Sequence, residues 1–239
     1  MTNKYKKLDE AVIAQLRKVS TATLNTALFK RGLRNTYIQG VGRVNNEKIK
    51  MVGQAFTLRY IPAREDLDTV AAFKDPKHPQ RLAVESVPEG MIMVSDCRQD
   101  ASAASAGSIL LTRLEVRKCA GFVSDAGIRD FDSAAAMDMP IFCAKESAPT
   151  NLTKHHGVDL EVAIGCGGVA VYPGDVLVGD GDGIIVIPLE ISEEIAEEAI
   201  KMEQFEDYVI RKVRSGSRVI GLYPPSDEAQ KEYNDFVAS

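Results

Sequence analysis

The chain has 239 residues, 45% of them hydrophobic and 26% charged, with a formal net charge of −5. That length buries a substantial core, as one large domain or two small ones, and the acidic balance argues against a general nucleic-acid binder. No apolar run approaches a membrane span and the opening MTNKYKKLDE has no apolar signal-peptide region, so the expectation is a cytoplasmic protein with no nucleic-acid and no membrane partner.

Taken in chain order, residues 8–19 and 21–30 are predicted as helices with Ser20 between them, and 49–60 as a strand around Gly53. The charged, proline-interrupted stretch 62–79 is predicted as a loop or mobile flap. A helix over 80–87 and a strand over 91–95 follow. The small, polar run 100–108 is predicted as a loop, then a helix over 109–118 with Leu110, Leu111 and Leu114 at helical spacing and Ser108 as N-cap. The remaining predictions are a strand at 121–125, a helix at 131–137 and a strand at 141–144. Two or three short strands between Pro-Gly-Asp and Gly-Asp-Gly turns fill 168–188, and a long charged helix at 191–213 precedes a proline-containing tail. The alternation implies a mixed α/β core without repeats or low-complexity linkers.

The stretch 121–130, GFVSDAGIRD, carries the most chemical information. A buried strand leads through small residues to an adjacent Arg and Asp, and a strand end is a rigid mount for polar groups. Arg129 offers a planar fork that matches a carboxylate. Asp130 offers a hard oxygen suited to Mg²⁺ or Mn²⁺. Upstream, a helix N-terminus presents free N–H groups to an anion. The competing structural account is an ordinary capped helix with a surface Arg and Asp.

Other groups read as structural. His155 and His156, adjacent in a strand, point to opposite faces and do not share an ion. Asp180-Gly-Asp182-Gly183 lacks the spacing of a calcium loop and reads as a β-turn. Glu193, Glu194, Glu197 and Glu198 read as a solvated helix face. Cys97, Cys119, Cys143 and Cys166 lack CxxC spacing and read as free thiols. Arg98 and Asp100 form a surface ion pair or contact the distal part of a substrate.

Gly107 followed by Ala120-Gly-Phe-Val-Ser-Asp125-Ala-Gly-Ile-Arg129-Asp130, with Gly165-Cys-Gly-Gly168, Tyr172-Pro-Gly-Asp175 and Asp180-Gly-Asp-Gly183, resembles the RraA-like family from about residue 19 to 188. That family includes class II 4-hydroxy-4-methyl-2-oxoglutarate / 4-carboxy-4-hydroxy-2-oxoadipate aldolases and regulators of ribonuclease activity without aldolase chemistry. The resemblance implies an α/β, swivelling β/β/α fold as one domain over 1–239: a core at about 19–188, N-terminal helices, and a C-terminal helix and tail at 189–239. It further implies that Arg129 binds a pyruvyl carboxylate, that Asp130 ligates a divalent Mg²⁺ or Mn²⁺, and that Gly107 with the amides of Ile109 and Leu110 binds pyruvyl oxygens. Arg98 joins this set as a candidate substrate contact. The aldolases carry an Asp twenty residues before the Arg, thought to position or deprotonate a metal-bound water. Here that position is Ser108, which hydrogen-bonds a water but holds no charge near neutral pH. A family histidine thought to assist catalysis is replaced by Arg81. A homotrimer or homohexamer, with sites at subunit interfaces, is also implied.

Three activities are consistent with these residues. The first is a divalent-metal-dependent carbon–carbon lyase, an aldolase or oxaloacetate decarboxylase, acting on a small 2-oxo acid through a pyruvate enolate. The second is a non-catalytic regulator binding a ribonuclease. The third is a different metal-dependent reaction on a sugar-derived oxo acid. Retention of Arg129 and Asp130 favours an enzyme; Ser108 favours the regulator.

Overall fold

The structure, a computed structural model, describes residues 6–45 and 50–238. Helix α1 (Glu10–Leu16) is capped by Asp9, whose carboxylate accepts from the Ala11 amide, and α2 (Thr21–Lys30) by Ser20, whose hydroxyl accepts from the Thr23 amide. These are side chains that satisfy otherwise orphaned helical donors. After the short β1 (Gly42–Arg43) comes β2 (Met51–Pro62), buried without interruption over its first eight residues. Such a run marks a strand covered on both faces. The start of the predicted strand at residue 49 lies outside the described residues.

Next come α3 (Pro79–Ser86), β3 (Met91–Asp96), β4 (Ala104–Ala106), α4 (Ser108–Val116), β5 (Gly121–Ile128), α5 (Phe131–Ala135) and β6 (Ile141–Glu146). Strands β7 (His155–Leu160), β8 (Ile164–Cys166), β9 (Val169–Val171), β10 (Val176–Asp180) and β11 (Gly183–Ile187) follow, then α6 (Ser192–Arg214) and α7 (Asp227–Ala238). Among the described residues, nine strands form one mixed sheet in the order β1-β6-β5-β3-β2-β10-β11, with β4 joined to β5 and β7 to β2; β8 and β9 form a separate hairpin. Strands β2, β3, β5 and β6 run parallel in that order, and β4 also pairs in parallel with β5.

Three apolar clusters hold these layers. Phe56, Leu58, Met93, Leu111, Leu114 and Phe122 join α3 and α4 to the sheet. Val52, Ile185 and Ile187 pack against Leu16, Leu24, Leu28 and Ile195 of α1, α2 and α6. Met51, Ile92, Val123 and Phe142 meet Ile164, Val169 and Val171 of the β8–β9 hairpin. The Gly-Asp-Gly turn joins β10 to β11, and Asp180 ties it to α2 by accepting from the Thr21 hydroxyl at 2.6 Å and amide at 2.9 Å.

Four predicted features differ. The run 100–108 contains β4, which pairs in parallel with the far end of β5. Strand β5 therefore continues to Ile128, three residues past its predicted end. The stretch 62–79 contains a 3₁₀ turn, Val70–Lys74. The tail holds α7, whose Tyr233 packs on Phe205 and Tyr208 of α6 at ring separations of 5.0 and 5.2 Å. All four cysteines are buried and free, as expected.

Candidate active site

The parallel strands β3 and β5 deliver their following loops to one edge of the sheet, where ligands of open α/β sheets commonly bind. A cavity of about 180 Å³ opens there, lined by residues that include Gly107, Ile109, Leu110, Arg129 and Asp130. The chain thus brings the start of α4 and the end of β5, about twenty residues apart in sequence, to a single wall. Arg98 does not line this cavity: its guanidinium donates to the Lys154 carbonyl at 3.0 Å, while Asp100 accepts from Ser102. The two do not pair with each other.

Asp130, two residues past the end of β5 and at the cap of α5, lies in the left-handed region at φ 55° and ψ 46°, a conformation that Asp tolerates better than most residues. Its Oδ2 accepts from the Ser108 amide at 3.0 Å and from the Ser108 hydroxyl at 2.8 Å. Ser108 is therefore the first residue of α4 and not its cap. The capping position is Gly107, which has no side chain to give, and the carboxylate of Asp130 reaches across to meet the orphaned donor. A Cβ at Gly107 would stand 3.0 Å from that same oxygen, so a larger residue there would push the Asp130 carboxylate by a few tenths of an ångström. The two bonds from Ser108, amide first, and the nearby charge of Arg129 hold the Asp130 carboxyl below the usual carboxylate range.

Leu110 spends its amide on the Gly107 carbonyl at 3.1 Å, while the Ile109 amide meets no acceptor among the described residues. The anion-binding capacity predicted for Ile109 and Leu110 thus rests on Ile109. Arg129 is exposed and forms no ion pair among the described residues, so its fork is free for a carboxylate.

Beneath this wall lies a buried polar layer. Asp125 accepts from the amides of Cys97 at 2.6 Å, Gln99 at 3.0 Å and Gly167 at 3.2 Å. It fixes the loop after β3, in which Arg98 and Gln99 both hold positive φ. Burial pushes the Asp125 carboxyl up, against the pull of its three amide donors. Next to it, the Ser105 hydroxyl donates to that of Ser124 at 2.7 Å, tying β4 to β5.

The sequence alone did not reveal the other walls. Gln80 and Arg81 come from α3, Phe73 from the 3₁₀ turn, and Thr150 and Asn151 from the segment after β6. In the sequence Arg81 stands out only as the residue in place of a family histidine, and the others carry no local signal. His155 and His156 do face opposite ways. His155 is buried edge-on to Tyr60, and His156 contacts Asp68 at 2.8 Å. Of the acidic residues 193–198, Glu194 and Glu198 pair with Arg31.

Among the described residues, no three His, Cys, Asp or Glu side chains gather in a way that could hold a metal ion. Among the described residues, Asp130 is the single carboxylate on the cavity wall, and Oδ1 of that group is free of the Ser108 bonds. One hard oxygen beside a small-ligand cavity fits Mg²⁺ or Mn²⁺, which keep waters and take further oxygens from substrate; it does not fit a dedicated zinc cage.

A family model described as RraA-like, Aldolase/RraA, matches residues 21–186, and the chain belongs to that family. A protein from Halalkalibacterium halodurans named "Putative 4-hydroxy-4-methyl-2-oxoglutarate aldolase" is 31% identical over 212 residues, 88% of this chain and 92% of that one. Among solved structures, Streptomyces coelicolor RraAS2, described as an unusual member of the RNase ES inhibitor RraA protein family, superposes with a TM-score of 0.75. It is 28% identical, over 85% of this chain and 98% of its own. An uncharacterized Pseudomonas syringae protein shares the fold at a TM-score of 0.76 and 24% identity, over 90% of this chain and 98% of its own.

Proposed function

We propose that the protein is a divalent-metal-dependent carbon–carbon lyase acting on a small 2-oxo acid through a pyruvate enolate, as an aldolase, an oxaloacetate decarboxylase or both. The observation that carries this reading is the shared wall: a free Arg129 fork, an ionised Asp130 and the unpaired Ile109 amide, all at one cavity. Arg129 binds the substrate carboxylate bidentately and fixes its plane. The Ile109 amide, at the positive end of α4, stabilises negative charge on the adjacent substrate oxygens. Asp130 would hold the cation, and Ser108 orients that carboxylate. The bound cation supplies Lewis-acid stabilisation of the charge that develops as the carbon–carbon bond breaks.

The two lyase reactions differ in their proton demand. Retro-aldol cleavage starts with removal of the proton from the C4 hydroxyl. Decarboxylation needs no such step, and both end with protonation of the enolate carbon. Ser108 is neutral, so the lack of a carboxylate at that position costs aldol cleavage more than decarboxylation.

The test is a panel of 2-oxo acids with Mg²⁺, Mn²⁺ and a chelator. Pyruvate release from a hydroxy-oxo-diacid or from oxaloacetate, abolished by the chelator, is the expected result. Metal-dependent turnover confined to sugar-derived oxo acids replaces this reading with the third of those drawn from the sequence. Ser108 and the likeness to RraAS2 favour the regulator as second reading; absence of metal binding together with inhibition of a ribonuclease establishes it instead.

A further inference from the structure

Arg81 gives the cavity a second guanidinium that the reading above does not use. It projects from the first turns of α3, and its guanidinium carbon lies 4.4 Å from the ring centroid of Phe73 on the 3₁₀ turn. His78 packs edge-on against the same ring at 5.1 Å. Stacking on an aromatic face orients the guanidinium plane while leaving its N–H edge available.

No carboxylate of the described residues pairs with Arg81. The acids on neighbouring elements are engaged elsewhere: Glu85 with Arg113 at 2.8 Å, Asp68 with His156 at 2.8 Å, and Asp75 with the Lys77 amide at 2.8 Å. Arg81 is half-buried, so its charge is partly withdrawn from water without an internal counter-ion. The lining therefore holds two unpaired guanidiniums and one carboxylate around a space of about 180 Å³. That is well below the roughly 300–1,000 Å³ of pockets that take drug-sized ligands. A short ligand with an anion at each end matches such a lining.

Resting on the lyase reading, we propose that Arg81, oriented by Phe73, is the specificity-determining residue that receives the distal carboxylate of a 2-oxo diacid, while Arg129 receives the carboxylate next to the oxo group. The segment over 62–79 then has a defined task. Its 3₁₀ turn brings Phe73 to the cavity and so sets the plane of the distal fork.

The experiment compares 2-oxoglutarate with 5-methyl-2-oxohexanoate, in which a neutral branched end of similar shape replaces the distal carboxylate. Affinities are measured by calorimetry at saturating Mg²⁺ for the wild type, Arg81→Met, Arg81→Lys and Phe73→Leu, with thermal melting to verify folding. The wild type is expected to prefer the diacid. Arg81→Met is expected to lower the diacid-to-monoacid affinity ratio by on the order of tenfold or more, the size of a charge-assisted contact. Arg81→Lys keeps the charge without the fork and falls between them. Phe73→Leu, which keeps an apolar group and all charges, lowers the ratio by about a few-fold. Equal affinity of the wild type for both ligands, or an unchanged ratio in folded Arg81→Met, overturns the assignment of Arg81 and leaves the lyase reading intact. Failure of the wild type to bind either acid, with no turnover in the oxo-acid panel, overturns both.

Discussion

Two aspartates, Asp125 within strand β5 and Asp130 just past its end, show how one short motif divides its labour. Asp125 is buried and accepts three backbone amides from two separate loops. Asp130 is exposed at the strand end and accepts two bonds from the single residue Ser108. Burial raises the first carboxyl, and hydrogen bonding lowers the second. Desolvation fits a residue that orders the fold, because leaving its partners unpaired is costly. Partial exposure fits a residue that exchanges water for a cation and substrate. The contrast predicts that mutations at the two positions separate stability from activity.

The largest effect is expected from Asp125→Ala. It strands the buried amides of Cys97 and Gly167, each worth roughly 1–3 kcal/mol when left unsatisfied, exposes that of Gln99 to water, and releases the loop in which Arg98 and Gln99 hold positive φ. Urea unfolding is expected to show a loss of about 3 kcal/mol or more; a loss below about 1 kcal/mol would mean that water replaces the carboxylate freely. Asp130→Ala is expected to leave the fold within about 1 kcal/mol, the usual worth of a helix cap, while removing Mg²⁺ binding and nearly all turnover. Unchanged Mg²⁺ affinity by calorimetry would rule out Asp130 as a principal ligand. Reversal of the two outcomes would break the contrast altogether.

The same two residues show how far the sequence could be read. Arg129 and Asp130 stood out because an adjacent fork and hard oxygen follow a strand, and Gly107 because small residues precede a helix. The end of β5 was less visible. Ala126 and Gly127, small residues of turn-like composition, form strand because β4 and β6 pair on either side. Residues 104–106 looked like loop for the same reason. Phe73, Gln80, Thr150 and Asn151 reach the cavity only through tertiary packing, so no local spacing announces them. Helix α7 was legible in principle: Ala229, Tyr233 and Phe236 follow helical spacing, masked by the preceding Pro224-Pro225.

A smaller effect is expected for Arg129→Lys, which tests the working side of the comparison without touching Asp130. Lysine keeps the charge and loses the bidentate fork. Mg²⁺ affinity is expected to hold within about twofold, while 2-oxo-acid affinity drops on the order of tenfold, the worth of one charge-assisted bond. Equal substrate affinity in the variant and wild type would place the carboxylate elsewhere in the cavity.

The smallest effect concerns Ser108→Ala, which removes one of the two bonds that distinguish Asp130 from an ordinary surface carboxylate. The amide at position 108 still donates, and only the hydroxyl bond at 2.8 Å is lost. Because the hydrogen bonds lower the folded-state pKa, Asp130 contributes stability that is fully present above the unfolded carboxylate value of about 3.9. That contribution is lost as pH falls through the depressed folded value. In Ser108→Ala the folded value moves up toward the unfolded one, so the contribution shrinks and disappears at a higher pH. At neutral pH both proteins keep Asp130 ionised. The cost there is one of orientation, expected at about tenfold or less in Mg²⁺ affinity, the low end for losing a partner of a metal-binding side chain. Carboxyl NMR titration of cation-free wild type and variant measures the shift directly. Coincident Asp130 midpoints would mean that the amide alone holds the carboxylate, and that Ser108 contributes only its backbone to the site.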